Sequence, residues 1–253
     1  MKNLAATLCF IFIPLLFFAQ DTTIWGVVVK FHYAPNIFPE SWQIAPISAK
    51  GEEISSYEIQ RTKMIMVKAI DKYPQALLEY NLKNVYWLKS MKFYDVGYGG
   101  TNSNDALYLT DNGELQGYTN AYMEQTFHHE FSSILMRNYP ALLDTVAWKN
   151  ANARGFDYND PENGVGAIRN NQSSQELDTM ICKKGMLTQY GMSSLENDAN
   201  TFAQNLFCPA TNFWTIVDHY PMIHKKVMLL IDFYNKLSST FNETYFRKLS
   251  PGY

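Results

Sequence analysis

The chain reads as an α+β domain, with strands concentrated before about residue 110 and helices after it. Three observations predict this. Val85 to Tyr94 and Ala106 to Thr110 are β-rich, and Asp111-Asn112-Gly113 closes them with a strong turn signal. Apolar residues then recur at helical spacing in Phe127, Phe131, Ile134 and Leu135, in Leu195, Ala199, Phe202, Ala203 and Leu206, and in Ile223, Val227, Leu230, Ile231 and Tyr234. At 253 residues, 47% hydrophobic and 15% aromatic, the chain can bury one sizeable core.

Residues 1–19 read as a secretory signal peptide. Lys2 supplies the charged start, Leu8 to Phe18 the apolar run, and Ala19-Gln20 the small-residue cleavage site. The run is shorter than the roughly 20 residues a bilayer span needs. Cys9 lies inside it without small residues ahead, which argues against a lipid-bearing cysteine. The reading is an exported protein, periplasmic, cell-surface or secreted, whose mature part (20–253) is a single domain with no membrane-spanning helix.

Thr23 to Lys30 suits a strand or extended arm, and the Pro- and aromatic-rich stretch from Phe31 to Ser48 suits a loop lying across the body. Ser56 to Ile70 has helical spacing, and Pro74 opens a second short helix to Tyr80. Gly97 to Gly100 breaks the chain between the two β-rich runs. Tyr118 to Tyr139 is the central helix, stopped by Pro140. Residues 151–174 have no period and form a long loop beside the site. Ser193 followed by Glu196 reads as a capping box for a helix ending near Phe207. Pro221 to Lys236 and Thr240 to Leu249 are two further helices.

The central helix carries His128, His129 and Glu130. On a helix, residues i and i+4 lie about 40° apart, so two His at that spacing reach one zinc, with a Glu between them acting as base. That pattern is H-E-x-x-H, and here the second His position holds Ser133. The wheel places His129, Glu130, Ser133 and Arg137 on the arc opposite the apolar stripe, with His128 at its edge. Adjacent helical side chains diverge, so the His doublet does not replace the missing partner. Glu196 has two readings, capping-box residue and metal ligand. Asp198, in the same first turn, suits the helix dipole and is the alternative ligand or an outer partner.

Cys182 and Cys208 bracket this segment, either as a disulfide or as two separate thiols. His219 and His224 have no spacing that ties them to zinc. The net charge of −3 supplies no basic field for nucleic acid.

Several blocks, in order, resemble the zinc-binding metallopeptidases secreted by gut-type Gram-negative bacteria, many of them lipoproteins found beside outer-membrane glycan-uptake systems. Val85-Tyr86-Trp87-Leu88 and Tyr94 to Thr101 resemble the family's strand and glycine turn. His129 to Leu135 resembles its H-E-F-x-H-[IL]-L helix. Lys184 to Leu187, Tyr190, Ser193, Ser194, Glu196, Asp198, Phe202 and Ala203 resemble the block that supplies a third ligand, with Gln204 where the family often has Glu. Tyr220 to Lys226 and Asp232 to Tyr234 resemble its last helix. The likeness covers about residues 55–249.

The resemblance implies a zincin-like fold, a small mixed sheet packed on the active-site helix with a helical C-terminal part. It implies zinc held by His129 and Glu196, Glu130 as general base, and Ser133 contributing weakly, through a water. Asp198 and His128 would stand behind these as outer or alternative partners. The implied function is zinc-dependent hydrolysis of a peptide or protein substrate, with outer-membrane uptake components as partners. Ser133 keeps a second reading open, an inactive zincin fold serving as a binding or assembly module. A third is an unrelated secreted α+β domain.

Overall fold

The computed structural model describes residues 21–250 apart from Asn159, Pro161 and Asn163, so the signal-peptide reading lies outside the described residues. The stretch expected as one strand or arm is a hairpin, β1 (Thr22–Ile24) and β2 (Val27–Lys30). Its two-residue turn, Trp25-Gly26, has positive φ at both positions (48° and 80°), which is the backbone a tight hairpin needs. The following loop, with α1 (Glu40–Gln43) in it, lies across the body as expected: Phe38 and Trp42 pack against Phe93 at 5.3 and 5.5 Å between ring centroids. β3 (Lys50–Glu53), α2 (Ile59–Ile70) and α3 (Gln75–Asn81) follow.

β4 (Asn84–Phe93) organises a seven-stranded mixed sheet, completed by β5 (Val96–Tyr98), β6 (Gly100–Asn102) and β7 (Ala106–Thr110). Its first half lies between parallel β2 and β7, and its second half pairs antiparallel with β3 and β5. The path runs β1-β2-β4-β7-β6 and ends on β6, which is antiparallel to β7. Alternation divides the side chains between two faces. Val85, Trp87, Leu107 and Leu109 enter the main core with the helices, while Leu88, Phe93, Ala106 and Tyr108 pack under the Phe38 loop.

α4 (Asn120–Asn138) crosses the main-core face, capped by the Thr119 hydroxyl, which accepts from the Tyr122 amide. Every residue from Phe127 to Leu135 is buried, because α8 (Leu195–Phe207) covers the arc that the sheet leaves open. Between these helices lie α5 (Thr145–Lys149), α6 (Val165–Arg169) and α7 (Thr179–Cys182) in the long irregular region. The expected Ser193 cap is corrected. Ser194 is the N-cap of α8 and accepts from the Asn197 amide, whereas the Ser193 hydroxyl donates to the Tyr190 carbonyl. α9 (Phe213–His219), α10 (Pro221–Leu237) and α11 (Glu243–Lys248) close the core, and α9 was not anticipated. Cys182 and Cys208 are free thiols, which decides against the disulfide. No helix among the described residues is long and apolar enough to cross a membrane.

One ion pair sits inside this helical layer. Asp198 and Lys226 are both fully buried, with Lys226 Nζ 2.5 Å from Asp198 Oδ2. The same oxygen accepts from Trp148 Nε1 at 2.9 Å and the Tyr158 hydroxyl at 2.5 Å. Burial works against both charges, and the pairing offsets part of it. Asp198→Ala strands a buried ammonium and is expected to cost about 3–5 kcal/mol in denaturant unfolding, while replacing both partners with apolar residues of similar volume restores most of it. A single and a double variant of equal stability would contradict this account.

Candidate functional site

α4 and β6 meet at the floor of a cleft of about 630 Å³. Gly100 permits the contact: a Cβ there would lie 2.5 Å from Thr126 Cγ2 and 2.9 Å from Glu130 Oε1. With no side chain at that position, the edge strand lies directly on the helix turn that carries His129 and Glu130.

Glu130 is 9% exposed. Its Oε2 accepts from Asn102 Nδ2 at 2.7 Å, and Asn102 Oδ1 in turn accepts from Arg137 Nη2 at 2.6 Å. Burial pushes the Glu130 carboxyl up to about 7, against the Asn102 hydrogen bond and with the help of the Glu196 charge. The group is therefore poised to exchange a proton near neutrality.

His129 is also buried, which lowers its pKa, so the imidazole is neutral at neutral pH. Its Nδ1 lies 2.8 Å from Gln204 Oε1, whose amide nitrogen donates to Gln175 Oε1 at 3.3 Å. Since a carboxamide oxygen only accepts, Nδ1 carries the proton and Nε2 keeps its lone pair. The Asn197 side chain works against that burial and raises the ring's pKa, and the Tyr190 ring stacks on the imidazole at 6.0 Å between centroids. Tyr98 and Tyr122 also line the cleft, and burial raises both hydroxyls to about 12, so they remain donors.

Ser133 turns to α8: its Oγ accepts from Asn200 Nδ2 at 2.7 Å. Glu196 lies in the first turn of α8, near enough for its charge to act on both His129 and Glu130. Asp198 is held in the ion pair with Lys226. His128 is fully buried on another side of α4, with Nδ1 2.9 Å from the Tyr73 hydroxyl and its ring stacked on Phe207 at 5.0 Å. Burial lowers its pKa to about 4. His219 and His224 are exposed on α9 and α10.

Asn102, Tyr122, Gln175, Asn197 and Asn200 were not anticipated as site residues. A signal for two of them exists: Asn197, Asn200 and Gln204 repeat at helical spacing and so share one face of α8.

No protein-family model matches the chain, and no curated protein matches it. Among solved structures it is similar to the crystal structure of a "putative zinc-binding metallo-peptidase" from Bacteroides caccae. The match has a TM-score of 0.57 and 14% sequence identity, over 89% of this chain and 84% of that one. The likeness is one of fold. It agrees with the α+β expectation of a mixed sheet packed on a central helix.

A catalytic zinc takes three protein ligands drawn from imidazole, thiolate and carboxylate, and an open position. Gln204 and Asn200, which hydrogen-bond His129 and Ser133 from α8, are carboxamides and supply no charge to offset a dication. Among the described residues no three of His, Cys, Asp and Glu converge where they could hold a metal ion. The donor set does not fit a three-ligand zinc.

The raised Glu130 pKa has a consequence for stability. An unfolded Glu ionises near its ordinary value of 4.5, whereas the folded one holds its proton to about 7. Between those values the folded state binds more protons, so stability falls as pH rises through this window, by about 3 kcal/mol in all. Glu130→Gln is expected to flatten the decline and to leave the protein more stable than the parent at pH 8. Unfolding free energies at pH 5 and pH 8 check it, and parallel slopes for the two proteins would refute it.

Proposed function

We propose that this is a peptidase-type protein that takes an extended polypeptide along the free edge of β6 and holds a backbone carbonyl over Glu130. The carrying observation is an antiparallel edge strand lying directly on a helix whose buried carboxyl faces the same cleft. Among the described residues β6 pairs only with β7, so its outer backbone groups are open to an added strand. The bound segment gains main-chain hydrogen bonds whatever its sequence, and side-chain pockets then discriminate.

The residues around that edge support an uncharged stretch of peptide. Lys92 and Glu176 are the lining residues that carry ordinary charges, beside Glu130 and the neutral His129; the other polar side chains are tyrosines, glutamines, serines and a threonine. A similar fold described as a metallo-peptidase supports peptides as the ligand class.

Hydrolysis is the second reading, favoured by Glu130, a carboxyl poised near neutrality as a general base must be. In that form Glu196 would have to join His129 on zinc, with Ser133 acting through water, while Asp198 stays with Lys226 and His128 with Tyr73. Export, and association with outer-membrane uptake components, belong to the same reading.

Hydrogen exchange with and without a mixture of extended peptides tests the first reading. Amides of Gly100–Asn102 are expected to gain protection when peptide binds. Binding that leaves them unprotected would place the ligand elsewhere. Release of cleaved products that stops with a chelator would establish the second reading.

A further inference from the structure

Two side-chain hydrogen bonds join α4 to α8 at the cleft floor, His129 to Gln204 and Ser133 to Asn200. Four residues forward along α4 is four residues back along α8, so these are successive rungs between antiparallel helices. The four residues are all at most 5% exposed. Helix pairs in a core are ordinarily joined by apolar ridges, and a polar seam brings desolvation costs that only complete pairing offsets. Pairing here is incomplete. Asn200 Oδ1 and the neighbouring Ser132 Oγ are buried without a hydrogen-bond partner.

His129 and Ser133 stand at i and i+4, the spacing with which two helical imidazoles grip one zinc. Asn200 meets the second of them from the opposite helix at 2.7 Å, where a third ligand would have to come from. Ser133 and Asn200 thus stand where a centre built on His129 would need its other two ligands, and neither side chain is one.

We propose that the α4–α8 seam is a hydrogen-bonded junction whose donor set is two residues short of a zinc centre. It joins the helices without a cation, and two substitutions, Ser133→His and Asn200→Glu, are enough to make it bind zinc together with His129. The proposal stands apart from the peptide reading, since a cation-free cleft can still bind peptide.

The test is zinc content after incubation with zinc and removal of the excess. The protein itself is expected to retain none. The Ser133→His/Asn200→Glu variant is expected to retain close to one zinc per chain and to lose it when His129→Ala is added. A folded double variant that retains no zinc overturns the proposal. So does near-stoichiometric zinc in the unaltered protein that disappears with His129→Ala.

The unaltered protein supplies a second measurement should the double variant fail to fold. A ligand that binds only the native state raises its unfolding midpoint. The midpoint is expected to be unmoved by added zinc or by chelator. A rise with zinc that His129→Ala abolishes would show a working metal centre and end the inference.

Discussion

The packing of α4 against α8 is the constraint on which the rest depends. α4 must serve the sheet with one face and the cleft with another, so it cannot have a solvent face along its middle turns. Phe127, Phe131, Ile134 and Leu135 take the apolar contacts, and His129, Glu130 and Ser133 are left to α8 and to the edge of the sheet. α8 answers in kind. Ala199, Phe202, Ala203 and Leu206 join the main core, while Asn197, Asn200 and Gln204 face the polar side of α4. Each hydrogen bond across the seam contributes only about 1 kcal/mol net, but an unmade one costs more. The seam therefore fixes the relative position of the helices more than it stabilises them.

The sheet inherits its geometry from the same contact. β6 is three residues long and ends the sheet, so little but α4 beneath it sets its height. Gly100 allows that approach, and Asn102 then reaches down to Glu130 while Arg137 holds Asn102 from the other side. One carboxyl is thereby tied to both the edge strand and the helix. A substitution at Gly100 would act on the acid–base group and on the peptide-binding edge together.

Much of the scaffold was legible in the sequence because periodicity reports burial. The stripes of α4, α8 and α10 and the alternation in β4 and β7 gave their elements to within a few residues. Elements without a period were missed. Gly100-Thr101-Asn102 has too few side chains to alternate, and Trp25-Gly26 turns the chain through backbone conformation rather than through a hydrophobic break. The Ser193 cap was one residue off because Ser193 and Ser194 are chemically equal, and only the backbone decides which one meets the Asn197 amide. At the site, His129, Glu130 and Ser133 could be read from a motif. Asn102 and Gln175 could not, because each acts through a partner distant in sequence.

The pairing of Ser133 with Asn200 ties these observations together. A lone serine at a ligand position, with acidic residues facing it from α8, would leave carboxylates buried without a cation, which is a costly arrangement. In this chain Asn200 and Gln204, which meet Ser133 and His129, are neutral amides. Asn200 fills the same space as a carboxylate without its charge, and it donates to the hydroxyl that stands opposite. Gln204 likewise accepts from His129 and fixes the neutral ring. Each rung thus joins a donor to an acceptor across the two helices, with Asn200 Oδ1 the amide atom left unpaired. Changes on one helix alone would have left an unsatisfied charge or an unpaired hydroxyl at the floor of the cleft. That fit surrounds the Glu130 carboxyl with neutral hydrogen-bonding side chains, and the Glu196 charge acts on it from the first turn of α8.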